Sequence, residues 1–388
     1  METTEARRLA AADAAIKVVV RDRSDSAELR LQLLEAAAAR LGGFDLESYQ
    51  SRFEITPLER PTNLLDQARR VVRELDATGI HPALCLSALA RETLDATSRR
   101  TKGAYHTDFR LAEHLAQATK SKLCPGIKIV DPACGAGILL TAVSVVACRS
   151  DRTLASDWLR HSVYAADLSP VALRGTLLAL SALTDDLDSL QAMRRKWRTQ
   201  DSLLAPEGVW ASMAGDGFDV VVANPPWEKL KLTRHEFIKG RGGSRHYGSS
   251  YAGDTLAGYE SAKSRKALHT ADLISRYPSL RHGEPDLYVA FTELLLSLTR
   301  DGGSGALIVP GGLIRSKNTE ALRRELIGSS QDLCFTVMAN TAKHFAIDTR
   351  FKFLIVNYVK AACGKGNVRS IGVIHARADN DGVVAPRR

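Results

Sequence analysis

The sequence has no long apolar run and no paired cysteines. No stretch reaches the roughly 18 apolar residues that a membrane-spanning helix needs, and the first residues lack the basic-then-apolar layout of a signal peptide. The six cysteines form no CxxC pair and have no histidine at zinc-binding spacing, which argues against a metal site and against a disulfide framework. We therefore expect a cytoplasmic protein with reduced thiols, no bound metal and no membrane association.

The excess of basic over acidic side chains is confined to one part of the chain. Residues 1–100 hold 15 Lys and Arg against 16 Asp and Glu, whereas the rest holds 38 against 28, so the net charge of +9 lies wholly beyond residue 100. A positive field on one part of a chain favours a polyanionic partner. A solvated basic surface gives the same composition.

Residues 1–98 are rich in Ala, Leu and Arg, with apolar residues at helical spacing, and predict a mostly helical N-terminal domain. Nothing in this region carries chemistry by itself. A nuclease of the PD-(D/E)xK type needs an acid two positions before a lysine. The one lysine before Lys102 is Lys17, and Ala15 stands at the required position, which argues against such a nuclease.

From residue 99 onwards, short apolar segments alternate with amphipathic helical patterns. This alternation predicts an α/β domain with a mostly parallel sheet, in which ligands bind beyond the carboxyl ends of the strands. The predicted strands are 127–130, 163–166, 218–223, 305–309, 333–338 and 353–359.

Three acids recur along the chain as in a nucleoside site, two at the ends of predicted strands and the third after the next helical segment. The first begins the Gly-rich segment 131–137 (DPACGAG), where glycines allow a tight turn and close approach to a ligand. Asp167 ends the next strand and is placed to accept hydrogen bonds from ribose hydroxyls. Asp201, followed by Ser202, is placed to accept the amine of an adenine. Each acid alone is equally typical of a helix cap.

The strand 218–223 runs directly into Asn224-Pro225-Pro226-Trp227. The Asn224 side-chain oxygen and the Pro225 carbonyl are each able to accept one N–H of an exocyclic amine, whose lone pair is otherwise delocalised into the base. Trp227 is placed to stack on a base flipped out of the duplex. A strand stopped by prolines and a core tryptophan are the structural alternatives.

Residues 229–266 hold nine Lys or Arg against three acids, with interleaved Tyr247, Tyr251 and Tyr259 and many glycines. A basic, Gly-rich insert of this kind, about residues 229–270, suits a segment that clamps backbone phosphates. A solvated loop has the same composition.

Together these motifs resemble the gamma-type N6-adenine DNA methyltransferases of restriction-modification and related defence systems. The resemblance covers roughly residues 100–360. The segment 103–108 (GAYHTD) is similar to the family's GxYYTP-like segment, with His106 and Asp108 in place of Tyr and Pro, and 347–353 is similar to its late segment near the target base. Phe345 either forms a second aromatic wall next to the target base or is a residue of the hydrophobic core.

The resemblance implies a Rossmann-like class I methyltransferase domain at 99–365, before a C-terminal tail at 366–388, with S-adenosylmethionine as cofactor and DNA as substrate. It implies catalytic roles for Asn224, Pro225, Pro226 and Trp227. The implied cofactor contacts are Tyr105, Thr107, Asp131, Ala133, Gly135, Gly137, Asp167, Leu168, Asp201 and Ser202. The expected DNA contacts are Lys229, Lys231, Arg234, Arg241 and Arg245.

Family members commonly continue into a large target-recognition domain, whereas this sequence continues for only about 30 residues after its last predicted strand. Sequence specificity is therefore expected from the N-terminal helices, the basic insert, a partner protein or residues beyond this sequence, and we favour the last two. Three alternatives stay open: a methyltransferase acting on RNA, one acting on a glutamine amide of a protein, and a DNA-binding scaffold subunit without turnover. A Rossmann dehydrogenase is disfavoured because no GxGxxG follows the first strand.

Overall fold

The N-terminal region is helical in the computed structural model, which describes residues 4–20, 26–57, 63–91, 106–234, 237–238, 258–281, 286–345, 347–362, 370–378 and 384–386. Its helices are α1 (Thr4–Val20), α2 (Ser26–Gly42), α3 (Leu46–Arg52), α4 (Leu64–Asp76) and α5 (Pro82–Ala90). Local sequence explains their starts. The Asp45 carboxylate caps α3 by accepting from Ser48 N, and α5 begins with a proline, whose missing N–H costs nothing there.

A nine-stranded sheet follows, in the order β3-β2-β1-β4-β5-β7-β6-β8-β9. The strands are β1 (Ile129–Asp131), β2 (Val163–Asp167), β3 (Arg198–Thr199), β4 (Phe218–Ala223), β5 (Thr299–Pro310), β6 (Ser330–Ala339), β7 (Lys352–Lys360), β8 (Ser370–Ala378) and β9 (Val384–Pro386). All neighbouring pairs are parallel except those that involve β7 or β9. The predicted α/β fold with a mostly parallel sheet is therefore confirmed.

Helices lie between most strands and cover the sheet. They are α6 (Phe109–Thr119), α7 (Ile138–Cys148), α8 (Arg152–Ser162), α9 (Pro170–Ser181), α10 (Leu187–Arg195), α11 (Val209–Met213), α12 (Tyr259–Arg276), α13 (Leu287–Leu298), α14 (Gly312–Arg315) and α15 (Glu320–Ser329). Strands β1 and β4 are almost wholly buried because helices cover both faces.

Every strand expected from the sequence is present, but three others were missed. β3 is only two residues long and polar, so it has no apolar signal. β8 and β9 lie in the segment 366–388, for which the sequence suggested a tail. Instead, β8 pairs in parallel with β6 and extends the sheet. The sequence of β8 (SIGVIHARA) mixes apolar residues with Gly, His and Arg and so lacks a continuous apolar run, and β9 is only three residues long.

The N-terminal helices share one continuous core with the sheet, in which Leu34 and Leu86 belong to the same buried cluster as Ile129 and Val220. Charged contacts reinforce this junction. Arg174 of α9 donates to Glu28 at 2.8 Å and to the fully buried Glu35 at 2.6 Å. A boundary near residue 98 therefore separates two stretches of sequence but not two cores.

Helix α5 also reaches the Gly-rich segment that follows β1. The Ser87 hydroxyl donates to the Ala136 carbonyl oxygen at 2.7 Å, and both groups are buried. A Cβ on Gly175 of α9 would lie 3.2 Å from the Cβ atoms of both Ala90 and Ala136, so glycine at this position permits the close packing. The N-terminal helices thus support the outer side of the Gly-rich segment.

Candidate active site

The Gly-rich segment 131–137 turns sharply between β1 and α7. Gly135 has φ +54° and Gly137 has φ +79°, values that favour glycine. A Cβ at position 137 would lie 2.5 Å from the Thr176 side chain, whose hydroxyl donates to the Gly135 carbonyl at 2.9 Å. At Gly135, by contrast, a Cβ would meet nothing within 4 Å. This segment is therefore packed on its α9 side and open at Gly135.

Asp131 at the end of β1 is only 2% exposed, and one of its carboxylate oxygens accepts the Ala133 N–H at 3.0 Å. Burial, with a further contribution from the negative charge of Asp167, raises the pKa of Asp131 to about 8. The site therefore holds a carboxyl group that binds a proton near neutral pH and that a neighbouring positive charge would ionise.

The raised pKa of Asp131 predicts that the free energy of unfolding falls as the pH rises from about 4 to 8. An unfolded aspartate titrates near pH 4, so within this window the folded chain binds more protons than the unfolded chain at this position. This decrease in the free energy of unfolding is on the order of a few kcal/mol, and we expect it to be absent in Asp131→Asn. Denaturant titrations at pH 5.5, 7 and 8.5 measure it, with the exposed Asp216→Asn as control. An unchanged slope in Asp131→Asn would contradict the assignment.

Asp167 ends β2, which pairs with β1, and Asp201 follows β3, which pairs with β2. The Asp167 carboxylate accepts Gly135 N at 2.9 Å and Ser169 N at 2.8 Å, which joins it to the Gly-rich segment. Asp201 accepts the Leu203 and Leu204 N–H groups. Because β1, β2 and β3 are adjacent and parallel, Asp131, Asp167 and Asp201 lie along one edge of the sheet.

The surroundings of these acids fit a nucleoside-containing ligand. Leu168 is 60% exposed although it is a large apolar residue, and it directly follows Asp167. Ser202 is buried and donates to the Pro132 carbonyl, so it supports the Gly-rich segment. An exposed apolar side chain next to Asp167, a second carboxylate after the neighbouring strand and open space at Gly135 together suit a ligand with an apolar ring and hydrogen-bond donors, such as an adenosine.

Asn224 begins the loop after β4, the strand on the other side of β1. Its side-chain Nδ2 donates to the hydroxyl of buried Thr107 at 3.0 Å, and this bond orients Oδ1 as the acceptor atom of the amide. Thr107 and Asn224 are 117 residues apart, so the fold brings two separately predicted motifs together. Pro225 and Pro226 follow directly. Tyr105 lies outside the described residues.

An ion pair holds the segment that carries Thr107. Arg110 donates to both carboxylate oxygens of Asp108, at 2.7 and 2.8 Å, and Asp108 also caps α6. Burial of Asp108 opposes its ionisation, but the hydrogen bonds and positive charge of Arg110, with a smaller contribution from His344 at 3.8 Å, outweigh burial and hold the pKa of Asp108 well below its usual value. Asp108 thus anchors the turn that presents Thr107.

Trp227 contacts two phenylalanines of the late segment. Its ring centroid is 4.7 Å from that of Phe345, tilted by 55°, and 6.0 Å from that of Phe351, nearly parallel at 20°. Phe345 is 2% exposed and packs on Phe353, so it is a core residue. Phe351 is 41% exposed. The sequence did not single out Phe351, because its distance and angle to Trp227 appear only in the fold.

A cleft of about 600 Å³ adjoins Trp227 at the carboxyl ends of β4 and β5. Its volume is within the range of small-molecule sites. Residues from five separate segments line it, among them Trp227, Lys229, Tyr288, Arg315, Phe351 and Lys352.

Lys229, Lys231 and Arg234 are all exposed, and Lys229 lines this cleft. Arg241, Arg245, Tyr247 and Tyr251 lie outside the described residues. Tyr259 is buried and donates to the Leu232 carbonyl, so it is a packing residue of α12 and not an exposed aromatic of the basic insert.

Within the described ranges, no three His, Cys, Asp or Glu side chains are grouped as a metal site would need. None of the helices described is both long and apolar enough to cross a membrane.

Comparison with known proteins identifies one matching family model. Residues 161–337, somewhat under half of the chain, match the Eco57I restriction-modification methylase family. This range contains β2 to β5 and most of β6, and with them Asp167, Asp201 and the loop at Asn224. No curated protein matches the whole sequence.

Similar solved structures come from restriction-modification proteins. The type IIG restriction endonuclease BpuSI aligns with a TM-score of 0.56 and 15% identity over 99% of this chain and 42% of that chain. The DrdV–DNA complex aligns with a TM-score of 0.55 and 13% identity over 96% of this chain and 40% of that chain. A modification subunit of a type I restriction enzyme from Vibrio vulnificus YJ016 aligns with a TM-score of 0.51 and 13% identity over 97% of this chain and 85% of that chain.

This chain spans about two fifths of the BpuSI and DrdV chains. At these identities the structural likeness concerns the fold. The chain therefore has the α/β fold with a mostly parallel sheet that these restriction-modification proteins share, and its residues 161–337 are similar to restriction-modification methylases of the Eco57I family.

Proposed function

We propose that this protein transfers a methyl group from S-adenosylmethionine to N6 of adenine in DNA, within a restriction-modification or phage-defence system. One observation carries the proposal. Asn224 is held by Thr107 beyond the end of β4, between the acids of β1 to β3 on one side and the aromatic cleft at Trp227 on the other. An amide acceptor between a nucleoside site and a base-sized cleft suits methylation of an exocyclic amine.

The cofactor would be held by residues that follow β1, β2 and β3. Asp167 would accept the ribose hydroxyls, Leu168 would cover the adenine and Asp201 would accept the adenine amine. Asp131 would face a positively charged part of the cofactor, and Gly135 leaves space for it. The remaining expected contacts are Tyr105, Thr107, Ala133, Gly137 and Ser202. When bound, S-adenosylmethionine supplies an activated methyl group on a sulfonium.

The protein contributes positioning of the target amine. Asn224 Oδ1 and the Pro225 carbonyl oxygen each accept one N–H, which steers the nitrogen towards tetrahedral geometry and directs its lone pair at the methyl donor. Thr107 holds the Asn224 amide in the orientation that this requires. Fixing the two reacting groups in one geometry removes much of the entropic part of the barrier.

The target base would enter between Trp227 and Phe351. Stacked bases are about 3.4 Å apart, so a base sandwiched by two rings needs about 6.8 Å between them. The Trp227 and Phe351 rings are nearly parallel with their centroids 6.0 Å apart, an ordinary distance for offset-stacked rings in contact, so the two rings must separate when the base enters. The exposed position of Phe351 permits that movement.

Phe351→Ala is expected to lower the rate of DNA methylation by about 5- to 150-fold, because stacking contributes about 1–3 kcal/mol per base. S-adenosylmethionine affinity should stay unchanged. Phe351→Trp should keep most of the activity, since it keeps an aromatic face. Single-turnover methylation and 2-aminopurine fluorescence at the target position measure the loss. Full activity in Phe351→Ala, equal to that of the remote control Leu65→Ala, would exclude Phe351 from the base pocket.

Methyl transfer from labelled S-adenosylmethionine to unmethylated duplex DNA, with RNA and protein as parallel substrates, tests the proposed function. The expected product is N6-methyladenine in DNA, identified by nucleoside analysis. If the labelled methyl group is found in RNA or in a protein glutamine instead, the substrate is RNA or protein and not DNA. Cofactor binding without transfer to any substrate, even with a specificity partner supplied, would favour a scaffold subunit.

A further inference from the structure

Two cations from distant parts of the chain meet at the rim of the cleft beside Trp227. Arg315 ends α14 and Lys352 begins β7, and both line the cleft. Gly311 joins them, because its N–H donates to the Lys352 carbonyl at 2.9 Å while its carbonyl accepts Arg315 Nε at 3.3 Å. The antiparallel pairing of β5 with β7 therefore brings these two side chains to the same rim.

The rim that carries Arg315 is a fixed turn. Arg323 of α15 donates to the carbonyls of Leu313 and Ser316 and to the Thr319 hydroxyl, at 2.6 to 2.8 Å, and so locks the connection between α14 and α15. A Cβ on Gly311 would lie 3.0 Å from an Arg315 guanidinium nitrogen. Glycine at position 311 therefore allows the Arg315 side chain to lie against the backbone.

The charge of the cleft is positive. Lys229, Arg315 and Lys352 line it against a single described carboxylate, that of Asp286. Neither Arg315 nor Lys352 makes an ion pair with an acid in the part of the chain that the structure describes, whereas Arg110, Arg174 and Arg350 all do. A guanidinium beside an aromatic cleft is a typical phosphate-binding group, because its planar fork matches phosphate oxygens.

We propose that Arg315 and Lys352 bind one backbone phosphate next to the nucleotide whose base enters between Trp227 and Phe351. This inference rests on the proposed function. A nucleotide connects an aromatic base to a phosphate through one sugar, and Phe351 and Lys352 are consecutive residues at the same cleft. The phosphate contact positions the strand and carries no sequence information.

The test is the salt dependence of DNA binding by the full chain, with a duplex oligonucleotide between 50 and 200 mM salt. Because both cations contact one phosphate, Arg315→Gln/Lys352→Gln should reduce the slope of log affinity against log salt by about 0.9, and each single variant by no more. Over this range the wild-type chain would then lose about threefold more affinity than the double variant. Affinities for all DNA sequences should fall equally, and S-adenosylmethionine affinity should not change.

The matched control is Lys120→Gln/Arg324→Gln, which removes the same charge from exposed positions outside the cleft. Glutamine keeps a polar side chain of similar reach, and unchanged thermal unfolding shows that the variants fold. Suppose that the wild-type chain binds DNA, but the salt slope of Arg315→Gln/Lys352→Gln equals that of the wild type or that of the control. The proposed phosphate site would then be wrong, and the proposed function would still stand. If the wild-type chain neither binds nor methylates DNA, both are wrong.

Discussion

Asn224→Ala is expected to reduce methyl transfer to DNA by at least about a hundredfold, while the affinity for S-adenosylmethionine stays within about twofold. Loss of one positioned hydrogen-bonding group at a reacting centre costs on the order of 10²–10³ in rate. Asn224 follows β4, whereas the acids proposed to hold the cofactor follow β1 to β3, so we expect cofactor affinity to change little when turnover is lost. Single-turnover methylation and calorimetric cofactor titration measure the two quantities separately.

Thr107→Val provides a second test of the same site. It removes the acceptor for Asn224 Nδ2 and keeps the size of the side chain, so we expect a smaller loss of rate than in Asn224→Ala. Equal loss of turnover and of cofactor affinity in Asn224→Ala would contradict the role of Asn224. In that case the loop after β4 would be a structural part of the cofactor site.

Asp167→Ala is expected to weaken S-adenosylmethionine binding by about 10- to 150-fold, because a hydrogen bond to a charged group contributes about 1.5–3 kcal/mol. The carboxylate also accepts Gly135 N and Ser169 N, so the same change loosens the Gly-rich segment. Asp167→Asn keeps one acceptor oxygen and should bind the cofactor better than Asp167→Ala. Calorimetry with S-adenosylmethionine and with S-adenosylhomocysteine measures both variants.

Asp216→Ala is the control for Asp167→Ala. Asp216 is an exposed acid just before β4, at the opposite end of the sheet, and its loss should leave cofactor affinity unchanged. Wild-type affinity in Asp167→Ala would remove Asp167 from the site. It would also remove the argument that the acids after β1, β2 and β3 act together.

The sequence of the N-terminal helices contains no catalytic or binding motif, yet α5 packs against the Gly-rich segment of the candidate site. Ser87 holds the Ala136 carbonyl and Ala90 packs close to Gly175, so α5 forms part of the wall behind the Gly-rich segment. These contacts involve small side chains that have no distinctive spacing. For this reason the sequence indicated a helical region but gave no role for it.

By itself, the sequence determined the fold class and the main parts of the candidate site. Apolar segments alternating with helical patterns predicted the parallel sheet, and Asp131, Asp167 and the Asn224 loop could be located because each lies at the end of a buried strand. Asp201 was located by its position after the following helical segment, since β3 gives no apolar signal. Strand ends are local features, and a parallel sheet necessarily brings them to one edge. The two-residue β3 and the three-residue β9 were missed because they are too short to show an apolar pattern, and β8 was missed because Gly, His and Arg interrupt its apolar residues.

Only the tertiary structure decided which distant residues meet. The Thr107–Asn224 bond, the nearly parallel rings of Trp227 and Phe351, and the approach of Arg315 to Lys352 all join segments whose separation in the chain carries no signal. The fold also assigned Phe345 to the core and Phe351 to the surface, although both lie in one short segment. Sequence patterns report how each element is buried, whereas contacts between elements depend on how the elements pack.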